Sequence, residues 1–178
     1  MPEGKIIKAL SGFYYVLDGD QIIQCRGRGV FRKNKITPLV GDDVVYQADN
    51  DKEGYILEIK DRFNELVRPP ISNVDQAVLV FSAKEPTFST SLLDRFLVLV
   101  EAGGIRPIIC ITKMDLVDDD ALKERIHQYA DDYRNIGYSV YMTSMKNGSG
   151  IEDIVSHFQD KITVFAGQSG VGKSSLLN

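Results

Sequence analysis

The fold class predicted from the sequence is an α/β phosphate-loop domain preceded by a small all-β domain. Three observations predict it. The first third of the chain reads as short strands separated by turn signals. After Arg68-Pro69-Pro70, apolar strand-like runs alternate with helical patterns. Near the far end, Gly167-Gln168-Ser169-Gly170-Val171-Gly172-Lys173-Ser174 fits G-x-x-x-x-G-K-[ST] at every fixed position.

Within the first third, Lys5 to Val16 is rich in β-branched and aromatic residues and is interrupted at Gly12, which reads as a bulge or bend. Asp18-Gly19-Asp20 is a turn, followed by a second strand over Gln21 to Phe31. Val44 to Ala48 and Tyr55 to Ile59 flank the Asp49-Asn50-Asp51 turn cluster. Such spacing without a long helix suggests a barrel or sandwich over residues 1–66. The two prolines mark the boundary, because neither can continue a ladder or a helix interior.

From 67 onward, Ala77 to Ser82 is continuously apolar, as a strand buried on both faces should be. Ser91 to Ala102 has helical periodicity, places Leu92, Leu93, Phe96, Leu97, Val98 and Val100 in the core, and stops at Gly103-Gly104. Pro107 to Ile111 is a strand. Asp119 to Ile136 is an amphipathic helix, with Asp118-Asp119-Asp120 at its positive dipole end rather than in a metal site. Ser139 to Met142, a short helix over Ile151 to Phe158, and Ile162 to Ala166 complete the series.

Composition bounds the rest. The 178 residues are 43% hydrophobic and 26% charged, the proportions of an ordinary globular protein. A net charge of −4 gives no whole-chain attraction to nucleic acid or an anionic membrane. Cys25 and Cys110 lie far apart in apolar stretches and read as buried thiols of a reducing compartment. Met1-Pro2-Glu3-Gly4-Lys5 opens no signal peptide, and no apolar run reaches membrane-spanning length, so the expectation is a cytoplasmic protein with no membrane partner.

The loop spacing has a chemical reason. Its glycines let successive backbone N–H groups turn inward around phosphate oxygens, and the helix that starts there points its positive end at the same charge. Lys173 would reach the β- and γ-phosphates, and the Ser174 hydroxyl would take a position on Mg²⁺. Two further segments address the base. Thr112-Lys113-Met114-Asp115 follows a strand, at the sheet edge where ligands of open α/β folds bind. It resembles the N-K-x-D guanine motif of GTPases, with Thr112 standing where asparagine is usual. Asp115 would accept from guanine N1–H and the exocyclic amine, while the Lys113 stem would lie along the base. Thr143-Ser144-Met145-Lys146 resembles the S-A-K element, whose backbone N–H, here that of Met145, meets guanine O6. The nucleotide set is therefore Gly167 to Ser175 (with Ser175 opening the helix), Thr112, Lys113, Met114, Asp115, Ser144, Met145 and Lys146, with Lys173 as the catalytic group.

Base-reading motifs that precede the phosphate loop are in the order of circularly permuted GTPases. With a β-barrel in front, the chain resembles the RsgA (YjeQ/YloQ) family of ribosome small-subunit biogenesis GTPases along essentially its whole length. The resemblance implies an OB-fold over 1–66 and a partial, permuted Ras-like GTPase domain over 67–178. It implies GTP hydrolysis with Mg²⁺, a monomer, and contact with rRNA and the small ribosomal subunit. The family's switch I, its D-x-x-G switch II and its zinc-binding C-terminal domain have no counterpart here, so the chain is expected to be truncated after the phosphate loop. On this reading the water-positioning residue lies in the switches, and the residues present lack hydrolytic activity by themselves. A Ras-like sheet would place 162–166 beside 77–82, then 107–111 and 139–142, and leave one sheet edge open.

Arg26, Arg28, Arg32, Lys33 and Lys35 cluster in one segment with Phe31. They read either as a cationic face that tracks phosphates with an aromatic for stacking, or as a solvated basic edge that discourages strand pairing. The resemblance favours RNA. His127 and His157 have no catalytic partners in sequence and read as structural or surface residues. Two other functions stay open: an RNA-binding module with a regulatory nucleotide site, and an ATP-using phosphate-loop enzyme in which the 112–115 match is accidental.

Overall fold

Residues 1–168, 170 and 173 are described by the structure, a computed structural model. The chain divides into two compact units, Met1–Asn73 and Val74–Asn178.

The first unit is a closed barrel of five strands in the order β1-β2-β3-β5-β4: β1 Glu3–Leu10, β2 Phe13–Asp18, β3 Gln21–Gly27, β4 Asp43–Ala48 and β5 Glu53–Ile59. A helix of one turn, α1 Gly29–Lys33, sits between β3 and β4. This is OB-fold topology, with antiparallel neighbours throughout except the parallel β3–β5 pair that closes the barrel. Ile6, Val16, Ile23, Cys25, Val44, Tyr46 and Ile56 fill the interior.

Two expected strands are corrected. The run from Lys5 to Val16 is a hairpin, not one bent strand: Ser11 and Gly12 both take positive φ (53° and 81°), the conformation a two-residue turn needs to match strand twist. The bulge lies instead at Ile7, between the paired residues Ile6 and Lys8. The strand expected over Gln21 to Phe31 ends at Gly27, and Phe31 falls on α1, whose curl turns its ring into the barrel core at 8% exposure.

Asp42 is fully buried and anchors the barrel to a short hairpin of β6 Glu65–Leu66 and β7 Ile71–Ser72. Its carboxylate accepts from Arg62 Nε at 2.7 Å and Nη2 at 2.9 Å, from Ser72 Oγ at 2.6 Å, and from the Leu39 amide at 2.7 Å. Four donors on one buried carboxylate repay much of its desolvation; removing the cation leaves the charge stranded. Arg62→Ala is therefore expected to destabilise the barrel by about 3–5 kcal/mol, read by urea unfolding followed by circular dichroism. A loss under 1 kcal/mol would show that the pair is dispensable.

In the second unit, β8 Gln76–Ser82, β9 Arg106–Thr112, β10 Ser139–Met142 and β11 Thr163–Gly167 form a parallel sheet in the order β10-β9-β8-β11. The partner of 162–166 is 77–82, in the order expected from a permuted Ras-like sheet. All seven residues of β8 are buried, which explains its unbroken apolar run. Val78, Val80, Ile108 and Cys110 pack with Ile154 of α4 Ile151–Val155 on one face. The helices α2 Thr90–Ala102 and α3 Asp120–Ile136 pack against β8–β9 and β10 respectively.

Ser89 caps α2 through the Leu92 amide, and Asp119 caps α3 through the Ala121 amide. Leu93, Leu97 and Val100 form the buried stripe of α2, whereas Val98 is 66% exposed, a correction that follows from the 3.6-residue period. The helix expected to reach Phe158 ends at Val155; Phe158 instead packs its ring edge-on to Phe165 at 5.5 Å. Burial pushes the thiols of Cys25 and Cys110 up to about 11, so neither is a nucleophile near neutral pH. Among the described residues no helix is long and apolar enough to cross a membrane.

Candidate functional site: strand ends of the parallel sheet

Parallel strands deliver their following loops to one edge, and three of these loops carry the motif residues. Gly167 is the last residue of β11, in register with Val80 of β8. A Cβ there would lie 2.1 Å from the Val80 carbonyl oxygen, and its φ is 148°. Only glycine lets the chain leave the sheet this close to its neighbour. Lys173 folds its ammonium back over the loop, donating to the Gly167 carbonyl at 2.8 Å. Ser169, Val171, Gly172, Ser174 and Ser175 lie outside the described residues.

The 112–115 segment follows β9 directly. Thr112 is its final, buried residue, and Lys113 turns the chain through a left-handed conformation (φ 59°) into a 3₁₀ turn at Met114–Leu116. The Lys113 ammonium donates to the carbonyls of Gly170 at 2.6 Å and Glu85 at 2.5 Å. It thereby ties the 112–115 segment to the phosphate-loop motif and to the loop after β8. Glu85 carries no motif signature; its contribution is a backbone carbonyl, which any residue type supplies, so sequence reasoning could not find it.

Asp115 is exposed, and Ser144 Oγ donates to its Oδ1 at 2.8 Å. Ser144 itself is 2% exposed, so a buried hydroxyl fixes the orientation of a solvent-facing carboxylate. The Met114 amide donates to the Thr143 carbonyl at 3.2 Å, holding the 112–115 and 143–146 segments side by side. Met145 is 48% exposed and Lys146 is exposed beyond them. Thr112, Lys113, Met114, Asp115, Ser144, Gly170 and Lys173 thus belong to loops at one sheet edge. His127 is exposed, and His157 packs its ring on Tyr141, bonding the tyrosine hydroxyl.

On the barrel, Arg26, Arg28 and Arg32 line an open groove of about 550 Å³ together with Phe13, Tyr14 and Phe31. Lys33 and Lys35 are exposed outside its lining. Phe31 is a correction here too, because a ring buried in the core offers no free face for stacking. The aromatic that meets the cations is Phe13, with the Arg26 guanidinium 5.0 Å from its ring centre. The signal for it was in the sequence: a two-residue turn after Asp18 pairs positions whose numbers sum to 39, and so sets Phe13 opposite Arg26.

Residues 59–178 match the family described as RsgA GTPase, and residues 3–56 match the RsgA N-terminal domain. The small ribosomal subunit biogenesis GTPase RsgA of Bacillus subtilis is 75% identical over 182 residues, covering 100% of this chain and 61% of that protein. The Bacillus pumilus protein of the same name is 77% identical with the same coverage. Among solved structures, YloQ, a circularly permuted GTPase, is 74% identical with a TM-score of 0.83 over 99% of this chain and 63% of its own. YjeQ from Thermotoga maritima is 38% identical, with a TM-score of 0.87 over 99% and 64%. The chain therefore spans about three-fifths of the length of these relatives. A barrel of OB topology, a permuted strand order and three motif loops at one sheet edge agree with these likenesses, and the chain belongs to the RsgA GTPase family.

Proposed function

We propose that the protein binds guanine nucleotide at this sheet edge and hydrolyses GTP to GDP and phosphate during late maturation of the small ribosomal subunit. The observation that carries the reading is the Ser144–Asp115 hydrogen bond beside the Lys113–Gly170 bond. Together they orient a carboxylate for a purine edge and place it a fixed step from the phosphate loop. Asp115 accepts from guanine N1–H and N2, the Met145 amide meets O6, Lys113 lies along the base, and Lys146 and Met114 shape the rim. The backbone amides of Gly167, Gln168, Ser169, Gly170, Val171 and Gly172 would meet phosphate on this reading, and Ser175 completes the nucleotide set.

Lys173 places its charge on the β- and γ-phosphates, where negative charge must be held as the terminal phosphoryl group moves. An ammonium has three protons, and the bond to Gly167 uses one. Mg²⁺ would be held mainly by the phosphates, with the Ser174 hydroxyl of the motif as the hard oxygen donor this small cation takes. Bound there, it would neutralise phosphate charge.

Residues 1–66, with 67–73 belonging to the same unit, act as the RNA-contacting barrel, and 74–178 as the nucleotide-binding part. Arg26, Arg28, Arg32, Lys33 and Lys35 face the phosphates of rRNA, with Phe13 stiffening Arg26. The protein works as a cytoplasmic monomer whose partners are GTP, GDP and the small subunit. Reversing Arg28 and Arg32 to Glu is expected to weaken subunit binding at least tenfold and to flatten its salt dependence, as measured by sedimentation across a salt series. Undiminished binding would return the cluster to a solvated edge. Single-turnover GTP hydrolysis on the intact protein, with and without small subunits, tests the activity: a subunit-stimulated rate supports it, and no turnover in either case would leave a regulatory nucleotide site.

A further inference from the structure

We infer that Gly150 is a positioning residue for guanine O6: it seats the 143–149 loop close enough on the end of β10 for the Met145 amide to reach that oxygen. This rests on the guanine-nucleotide reading above. Gly150 has a φ of 76°, and a Cβ built on it would lie 2.2 Å from the Met142 carbonyl oxygen. The obstacle is backbone, which no rotamer change moves aside. An ordinary contact is about 3.5 Å, so any side chain here must push this end of the loop off the strand by about 1 Å.

The push is passed along because the loop is closed on itself. The Ser144 amide donates to the Ser149 carbonyl at 3.0 Å, and the Ser149 amide donates to Asn147 Oδ1 at 3.0 Å. Met145 and Lys146 fill the span between these bonds, so their backbone moves with Ser149 and Gly150. The other end of the loop is held by the sheet. The Thr143 amide donates to the Ile111 carbonyl at 2.8 Å, and the Thr143 carbonyl accepts from the Met114 amide at 3.2 Å. Thr143 and Ser144 are buried there, and Asp115, which accepts from Ser144 Oγ, belongs to that fixed end. A shift at Gly150 therefore acts on the O6 contact more than on the N1–H and N2 contacts. An N–H···O bond drawn from about 2.9 Å to about 3.6 Å is lost.

The test is competition of GDP, 6-thio-GDP and ADP against a fluorescent GDP on the intact protein. Sulfur at position 6 is a poor acceptor and leaves N1–H and N2 in place, so the wild type is expected to favour GDP over 6-thio-GDP by about fivefold. Gly150→Ala should weaken GDP about tenfold and bring the two guanine ligands within about twofold of each other, with ADP still far weaker. Gly148→Ala is the control: its φ is 72°, but a Cβ there meets no described atom within 4 Å. It carries similar backbone strain without the push and should keep the wild-type ratio. Asn147→Ala, at an exposed position, removes the bond to the Ser149 amide and should lower the ratio at least about twofold; it decides the matter if Gly150→Ala does not fold. An unchanged ratio in Gly150→Ala, or in Asn147→Ala where only that variant folds, overturns the inference, as does an equal fall in Gly148→Ala. A wild type that binds GDP and 6-thio-GDP alike overturns it while leaving selection against ADP intact. ADP competing as well as GDP would remove the guanine reading, and the inference with it.

Discussion

Asp115→Asn is expected to lower affinity for guanine nucleotide about a thousandfold and to create a preference for xanthosine nucleotide. A site built to hydrogen-bond a substrate's donors rejects a mismatched partner by large factors, because buried polar groups are left facing each other unpaired. On the proposed reading the carboxylate accepts two donors from guanine; an amide presents one acceptor and one donor, which suits the extra carbonyl of xanthine. The geometry makes the swap a clean one. Ser144 Oγ donates to Asp115 Oδ1 at 2.8 Å, and the carbonyl oxygen of an asparagine can accept the same bond. Because residue 115 is exposed, the fold tolerates the change. Titration of GDP and XDP into wild-type and variant protein measures it, and an unchanged GDP affinity would remove Asp115 from the site.

Lys173→Ala carries the second large effect, a fall in GTP turnover of roughly 10²–10³-fold. The Lys173 ammonium sits across the phosphate loop at 2.8 Å from the Gly167 carbonyl, the position from which a mobile donor can pass to phosphate. In a reaction whose transition state spreads charge over the transferring oxygens, losing one fixed cation removes stabilisation that water cannot replace. Subunit-stimulated single-turnover hydrolysis is the measurement. The expected pattern is a collapsed rate with subunit binding intact, since the cations proposed for RNA lie on the barrel. A variant that turns over normally would reassign the phosphate contact.

Much of this was legible in the sequence because the motifs are local. A phosphate loop needs glycines at fixed short spacing, so its chemistry is written in one stretch, and the seven buried residues of β8 declare a two-sided strand by themselves. The register of the β2–β3 hairpin was equally readable, from one turn at Gly19. What escaped were properties set by backbone curl and by distant partners. Phe31 looked available for stacking until one helical turn aimed it into the barrel. Val98 looked like core because it is apolar, yet the period of α2 exposes it. The Glu85 carbonyl is invisible to residue-type reasoning, and the buried Asp42–Arg62 pair joins positions that no short motif links.

The central claim is that three loops at one sheet edge form a guanine-selective nucleotide site. Equilibrium competition of GTP and ATP for a labelled guanine nucleotide on the intact protein, with Mg²⁺ present, tests it most directly. GTP should displace the label at concentrations at least a hundredfold below those ATP requires. Equal displacement by ATP would contradict the claim and make the match at 112–115 an accident of sequence.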